Sequence, residues 1–224
     1  MSSVASAAYR AGERLVDAHD DGKVYDFTHK THVTHKEILL ADGVPDALAD
    51  RSALWNTVET TLNHKRGQPA FEVEVALPRE LEHERQVELA RGFAQREFVD
   101  QGLIVDMCMH MDTASDGGEH PHCHFLVTTR RFDEDGKMGK AARDLQDSPK
   151  LIGKIYELEK AGEIADALEL SQGTNLQRWR ENWATDTNSA LERYEHDTRI
   201  DHRTLSPCFL VSLSEPFRIG ILPP

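Results

Sequence analysis

The stretch Leu103-Ile104-Val105-Asp106-Met107-Cys108-Met109-His110 and, beyond the connection 111–121, His122-Cys123-His124-Phe125-Leu126-Val127-Thr128-Thr129 reads as two β-strands of one antiparallel hairpin. Successive side chains of a strand leave opposite faces, so His122 and His124 share a face while Cys123, Phe125 and Val127 occupy the packed one. On the first strand His110, Cys108 and Asp106 share a face, and Val105, Met107 and Met109 point to the core. Pairing across the connection sets His110 opposite or near His122, where cross-strand Cβ atoms lie about 5 Å apart. Three imidazoles then converge. As neutral donors they suit a divalent first-row metal with a coordination position left open for chemistry.

The same alternation recurs upstream. Phe71-Glu72-Val73-Glu74-Val75-Ala76-Leu77 is a half-buried strand with Phe71, Val73 and Val75 inward and Glu72 and Glu74 on the polar side. Either glutamate is placed to be a further ligand, to orient a ligand, or to accept a proton. Helical periodicity surrounds these strands. It predicts a first helix over 3–16 behind a Ser2/Ser3 cap, and a second from Asp50 or Ser52 to about Lys65. A third runs from Pro78 to near Gly102, one or two more lie in 149–171, and a last begins at Thr174. Trp179 and Trp183 have the spacing of helix core. Residues 17–46 read mostly as loop, apart from Glu37–Leu40. The fold class is therefore α+β: a central antiparallel sheet with flanking helices and a helical C-terminal part. The expected divisions are 1–147 for the core, 148–205 for the helical part, and 206–224 for a proline-punctuated tail of different composition.

Composition narrows the function. No apolar run approaches the roughly 20 residues of a membrane helix, and the N-terminus lacks the pattern of a secretory signal, so a cytoplasmic protein without membrane insertion is expected. The three cysteines lack CxxC spacing and support neither a disulfide framework nor a zinc ribbon. A net charge of −13 argues against a general nucleic-acid coat, so any DNA contact must rest on a local basic surface or a metal. Among the twelve histidines, His120 is set apart from the triplet by Pro121, and His29, His32 and His35 stand in loop-like sequence.

A metal by itself leaves hydrolysis, oxygenation and phosphoryl chemistry equally open. A nucleophile has to be found. Tyr9 is a candidate because Ala-Ser-Ala-Ala-Tyr-Arg-Ala-Gly (5–12) is built of small residues that permit close approach, with Arg10 and Arg14 near to hold anionic oxygens. A tyrosine in such a helix is equally readable as core.

Five segments together resemble a known family: Ala-Ser-Ala-Ala-Tyr-Arg-Ala-Gly-Glu-Arg-Leu (5–15), Leu-Trp-Asn-Thr-Val-Glu (54–59), Glu-Val-Ala-Leu-Pro-Arg-Glu-Leu (74–81), Pro-His-Cys-His-Phe-Leu-Val-Thr-Thr-Arg (121–130) and Arg-Ile-Asp-His-Arg-Thr-Leu (199–205). They look like the MobA/MobL plasmid-mobilisation relaxases, including the relaxase part of Ti-plasmid TraA-like proteins. The resemblance implies a bacterial HUH endonuclease. In such an enzyme Tyr9 is the nucleophile, His110, His122 and His124 hold a divalent ion (Mg, Mn or Zn), and Glu72 and Glu74 match the acidic strand. Its implied partners are single-stranded DNA at a plasmid origin of transfer, relaxosome accessory proteins and a coupling protein. Arg10, Arg130, Arg131, Lys137, Lys140 and Arg143 are the candidate DNA contacts.

Relatives of this kind carry an opening strand that precedes the position of Met1, and they continue differently after Leu205. The chain thus reads as shortened at both ends, with a sheet edge expected to be bare. Two other classes stay open: a non-catalytic DNA-binding remnant, and a three-histidine oxygenase or hydrolase of small molecules that would not need Tyr9.

Overall fold

The computed structural model describes residues 2–62, 67–114, 116–202 and the strand 209–213. Helix α1 (Ser3–Ala11) is capped by the Ser2 hydroxyl, which accepts from the Ala5 N–H. It ends earlier than its apolar pattern suggests. Gly12 takes φ +59°, a left-handed C-terminal cap, and a Cβ there would stand 3.2 Å from Val33 Cγ2. Leu15 and Val16 therefore leave the helix and enter β1 (Arg14–Asp17), which pairs with β2 (Lys23–Asp26). The region expected as loop thus holds a small hairpin and a longer strand, β3 (Val33–Leu39).

Helix α2 (Arg51–Thr61) starts on an Asp50 cap, and the expected continuation to Lys65 runs into 63–66, outside the described residues. Strand β4 (Ala70–Ala76) follows, then α3 (His83–Glu97). Pro78 opens a turn instead of the helix; its carbonyl accepts from the Leu81 N–H and from the Gln86 side chain. Strands β5 (Val105–Thr113) and β6 (Glu119–Thr128) form the expected hairpin, longer than read, so that the connection shrinks to residues 114–118. A smaller hairpin, β7 (Arg130–Phe132) and β8 (Met138–Ala141), leads to α4 (Pro149–Ala161), α5 (Ile164–Ser171) and α6 (Asn175–Arg193), the last capped by Thr174. Strand β9 (Phe209–Leu213) pairs with β4, so part of the 206–224 tail joins the sheet; 203–208 and 214–224 lie outside the described residues.

The result is α+β, with an antiparallel sheet in the order β3-β5-β6-β4-β9. Its two faces are covered by different chemistry. On one side the inward residues of β4 and β6 meet α3 and α6: Phe71 stacks on Trp179 at 5.6 Å and Phe93 meets Trp183 edge-on at 5.2 Å. The two tryptophans are buried core, as their spacing predicts. They join the helices after residue 148 to the same apolar core as the sheet.

The other side lies under α1 and α2 and is polar. Asp106 on β5, 1% exposed, accepts from Arg51 Nε at 2.8 Å, Arg51 Nη2 at 2.9 Å and Trp55 Nε1 at 2.9 Å. This fixes α2 on the sheet by directional bonds. No described helix is long and apolar enough to cross a membrane.

Removing one member of a buried ion pair leaves the other charge uncompensated. Asp106→Ala is expected to lower unfolding stability by about 3–5 kcal/mol in urea denaturation, while the double change Arg51→Met with Asp106→Leu recovers most of the loss. A single-variant loss under about 1 kcal/mol would show that Asp106 does not anchor α2.

Candidate metal centre and the helix beside it

The hairpin places the triad as strand parity requires. His110 is the direct cross-strand partner of His122, and His124 follows on the same face. The ring centroids are 5.3 Å apart for His110 and His122, 4.7 Å for His110 and His124, and 5.0 Å for His122 and His124. One ligand-capable nitrogen of each lies within 4.8 Å of those of the other two. His110 and His122 are buried and His124 is half-buried.

The hydrogen bonds at the backs of the rings decide which nitrogens carry lone pairs. His110 Nε2 meets the Arg10 carbonyl oxygen at 2.6 Å, His122 Nδ1 the His120 carbonyl at 3.1 Å, and His124 Nδ1 the Glu72 carboxylate at 2.8 Å. A carbonyl or an ionised carboxylate can only accept, so each ring donates there and keeps its other nitrogen as an acceptor. Burial, then the neighbouring His124, pushes the His110 pKa down to about 3, and the same two causes lower that of His122. Imidazoles that each keep one ring nitrogen as an acceptor, held from behind, are a donor set that fits a divalent ion.

Glu72 is buried in this layer, beside His124. Burial works against its charge, yet the Arg10 guanidinium and the hydrogen bond from His124 hold its pKa below the usual carboxylate range. Arg10 donates to both Glu72 oxygens through Nε and Nη2. Read from sequence as a DNA contact, Arg10 instead turns inward, because a buried carboxylate needs a counter-charge. Glu74, across the ladder from His124, lies 3.7 Å from His124 Nδ1 and is partly exposed. Among the described residues it has no ion pair with lysine or arginine.

Tyr9 directly precedes Arg10 at the exposed end of α1 and is 49% exposed, so it is not core. Its ring meets Phe27 edge-on at 5.3 Å and lies 3.3 Å beneath Lys30 Nζ. Sequence reasoning missed Lys30, which stands in the segment read as loop. It also missed the pairing of Arg10 with Glu72, for which no local pattern exists. Of the histidines set aside, His32 approaches the triad, 5.0 Å from His110, whereas His35 bonds Glu37.

Arg130, Arg131, Lys140 and Arg143 are not gathered at the triad. They belong to the β7–β8 hairpin and the turn after it, beyond the far end of β6. Six residues of strand at about 3.3 Å each put Arg130 on the order of 20 Å from His124. There Arg131 pairs with Asp144 and Arg130 donates to the Gly139 carbonyl, while Lys140, Arg143 and Lys137 are exposed.

The match to known proteins runs through all these elements. The mobilization protein MobL of Acidithiobacillus ferridurans is 31% identical over 91% of this chain and 54% of its own length. The conjugal transfer protein TraA of Agrobacterium fabrum is 28% identical over 91% of this chain and 18% of its own. The chain thus spans about half of the first relative and under a fifth of the second. A solved structure described as "Molecular Basis of Vancomycin Resistance Transfer in Staphylococcus aureus" superposes with a TM-score of 0.69 at 26% identity, covering 90% of this chain and 91% of that one. With residues 1–208 matched, from the helix that carries Tyr9 to the last segment quoted above, the chain belongs to the MobA/MobL family.

Proposed function

We propose that the chain nicks one DNA strand at a plasmid origin of transfer through attack by the Tyr9 hydroxyl on a phosphodiester. The observation that carries this reading is the double attachment of the Tyr9 end of α1 to the triad. The Arg10 carbonyl takes the hydrogen bond of His110, and the Arg10 guanidinium pairs with the carboxylate that holds His124. The names of the relatives, mobilization and conjugal transfer proteins, agree with it.

In the proposed step a bond forms between Tyr9 Oη and phosphorus and the bond from phosphorus to the 3′ oxygen breaks. The phenol proton passes to a base, and the departing oxygen takes up a proton to become a free 3′-OH. A 5′-phosphotyrosyl ester remains, which conserves the bond energy for rejoining. Glu72 is committed to Arg10 and His124, so the proton falls to Glu74. A divalent ion (Mg, Mn or Zn) held by His110, His122 and His124 supplies, when bound, positive charge for the phosphoryl oxygens in the transition state. The basic β7–β8 hairpin is suited to DNA flanking the cleaved phosphate, since it stands too far from the triad to touch it. Relaxosome accessory proteins and a coupling protein are the partners this role requires.

Incubation with a divalent ion and single-stranded origin oligonucleotides should give a covalent adduct on a denaturing gel. Chelation should abolish it, and so should Tyr9→Phe with oligonucleotide binding retained. An adduct that persists in Tyr9→Phe overturns the assignment of the nucleophile. Glu72→Gln should weaken affinity for manganese about 10–100-fold, measured by titration calorimetry, because His124 loses its charged support; unchanged affinity would remove Glu72 from the site.

A further inference from the structure

Lys30 forms no ion pair among the described residues. Among the described residues no Asp or Glu lies within ion-pair distance of its ammonium, although it is partly buried. The ammonium instead donates to the Tyr9 carbonyl at 2.8 Å and stands over the Tyr9 ring. Burial, then the charge of nearby Arg10, lowers its pKa against the opposing pull of Asp112, and its own charge acts on His110.

The backbone holds it there. The Phe27 N–H donates to the Glu13 carbonyl at 3.1 Å, the Lys30 N–H closes a turn onto the Phe27 carbonyl at 3.0 Å, and the Met111 N–H reaches the His32 carbonyl at 2.9 Å. The segment 27–32 is thus tied at one end to the exit of α1 and at the other to β5, the strand that carries His110. Gly12, at φ +59°, turns the chain out of α1 beside this segment, where a Cβ would stand 3.2 Å from Val33 Cγ2 and in ordinary contact with Lys30 Cβ.

We propose that Lys30 is the positioning residue for Tyr9. Its ammonium clamps the phenol ring from one face, with Phe27 against its edge, and presents a positive charge to the phosphodiester brought to the triad. This rests on the reading of Tyr9 as nucleophile and adds to it what orients an exposed side chain. An exposed tyrosine otherwise samples several rotamers, and orientation of a reacting group contributes to rate as much as its chemistry does. A cation over an aromatic face is a directional restraint of this kind.

Two measurements test it, with Lys154→Met on α4 as a distant control. In single-turnover cleavage at saturating oligonucleotide, Lys30→Met should slow adduct formation about 10–100-fold. Its Kd for the oligonucleotide should move less than about threefold, and Lys30→Arg should recover most of the rate. In protein labelled with 3-fluorotyrosine, the 19F resonance of Tyr9, assigned through Tyr9→Phe, should shift in Lys30→Met and stay in place in Lys154→Met. A rate within about twofold of wild type, a defect confined to Kd, or a Lys30→Arg variant as slow as Lys30→Met overturns the role in the reaction. An unmoved 19F resonance overturns the clamp itself. If the unaltered protein forms no adduct, the nickase reading fails while the resonance still decides whether Lys30 orients Tyr9.

Discussion

The ion pair between Arg10 and Glu72 is the constraint on which the site depends. It joins two residues 62 positions apart, one at the end of α1 and one on a central strand, in a layer from which solvent is largely excluded. A buried carboxylate with no partner would take up a proton or move to water, and the arginine supplies the opposite charge in a planar, two-pronged form. Once it is formed, α1 has one position on the sheet, and Glu72 Oε1 accepts from His124 Nδ1 as well as from Arg10 Nε. The same pair therefore settles the place of Tyr9 and the orientation of a histidine.

The second polar anchor, Asp106 with Arg51 and Trp55, does for α2 what the first does for α1. Together they make the two sides of the sheet unlike. The side under α3 and α6 is aromatic and aliphatic and is held by nondirectional burial. The side under α1 and α2 is held by bonds with defined angles, and it is the side that presents the histidines. A rigid sheet backed by a packed apolar layer allows the polar layer to hold unusual geometry.

Features set by neighbouring residues were legible in the sequence. Strand parity put His110, His122 and His124 on one face and Glu72 and Glu74 on another strand's polar face, and of the placements opposite or near His122 the structure has His110 directly opposite. The caps Asp50 and Thr174 and the core spacing of Trp179 and Trp183 were equally local. The errors came where a distant contact outweighed a local pattern. Leu15 and Val16 continue the apolar stripe of α1, but the left-handed Gly12 ends it where a Cβ would crowd Val33. Strands β1 and β2 have four residues each, too few for an alternation to be read beside the Asp- and Gly-containing connection 18–22, and their pairing depends on each other. Arg10 looked like a phosphate ligand because sequence shows its charge and not the carboxylate that claims it. Lys30 was overlooked for the same reason, since a lysine in a turn carries no mark of the ring it covers.

His110 meets α1 through the main-chain oxygen of residue 10, and Lys30 grips it through that of residue 9. On α1 neither contact belongs to a side chain, so a substitution scan across positions 9 and 10 would register the ring and the guanidinium and remain silent on both grips. They yield instead to a change at His110 or Lys30, or to something that displaces the peptide itself, such as a bulkier residue at Gly12. On the helix side the attachment is in this sense written in the course of the backbone, whatever residues stand at positions 9 and 10.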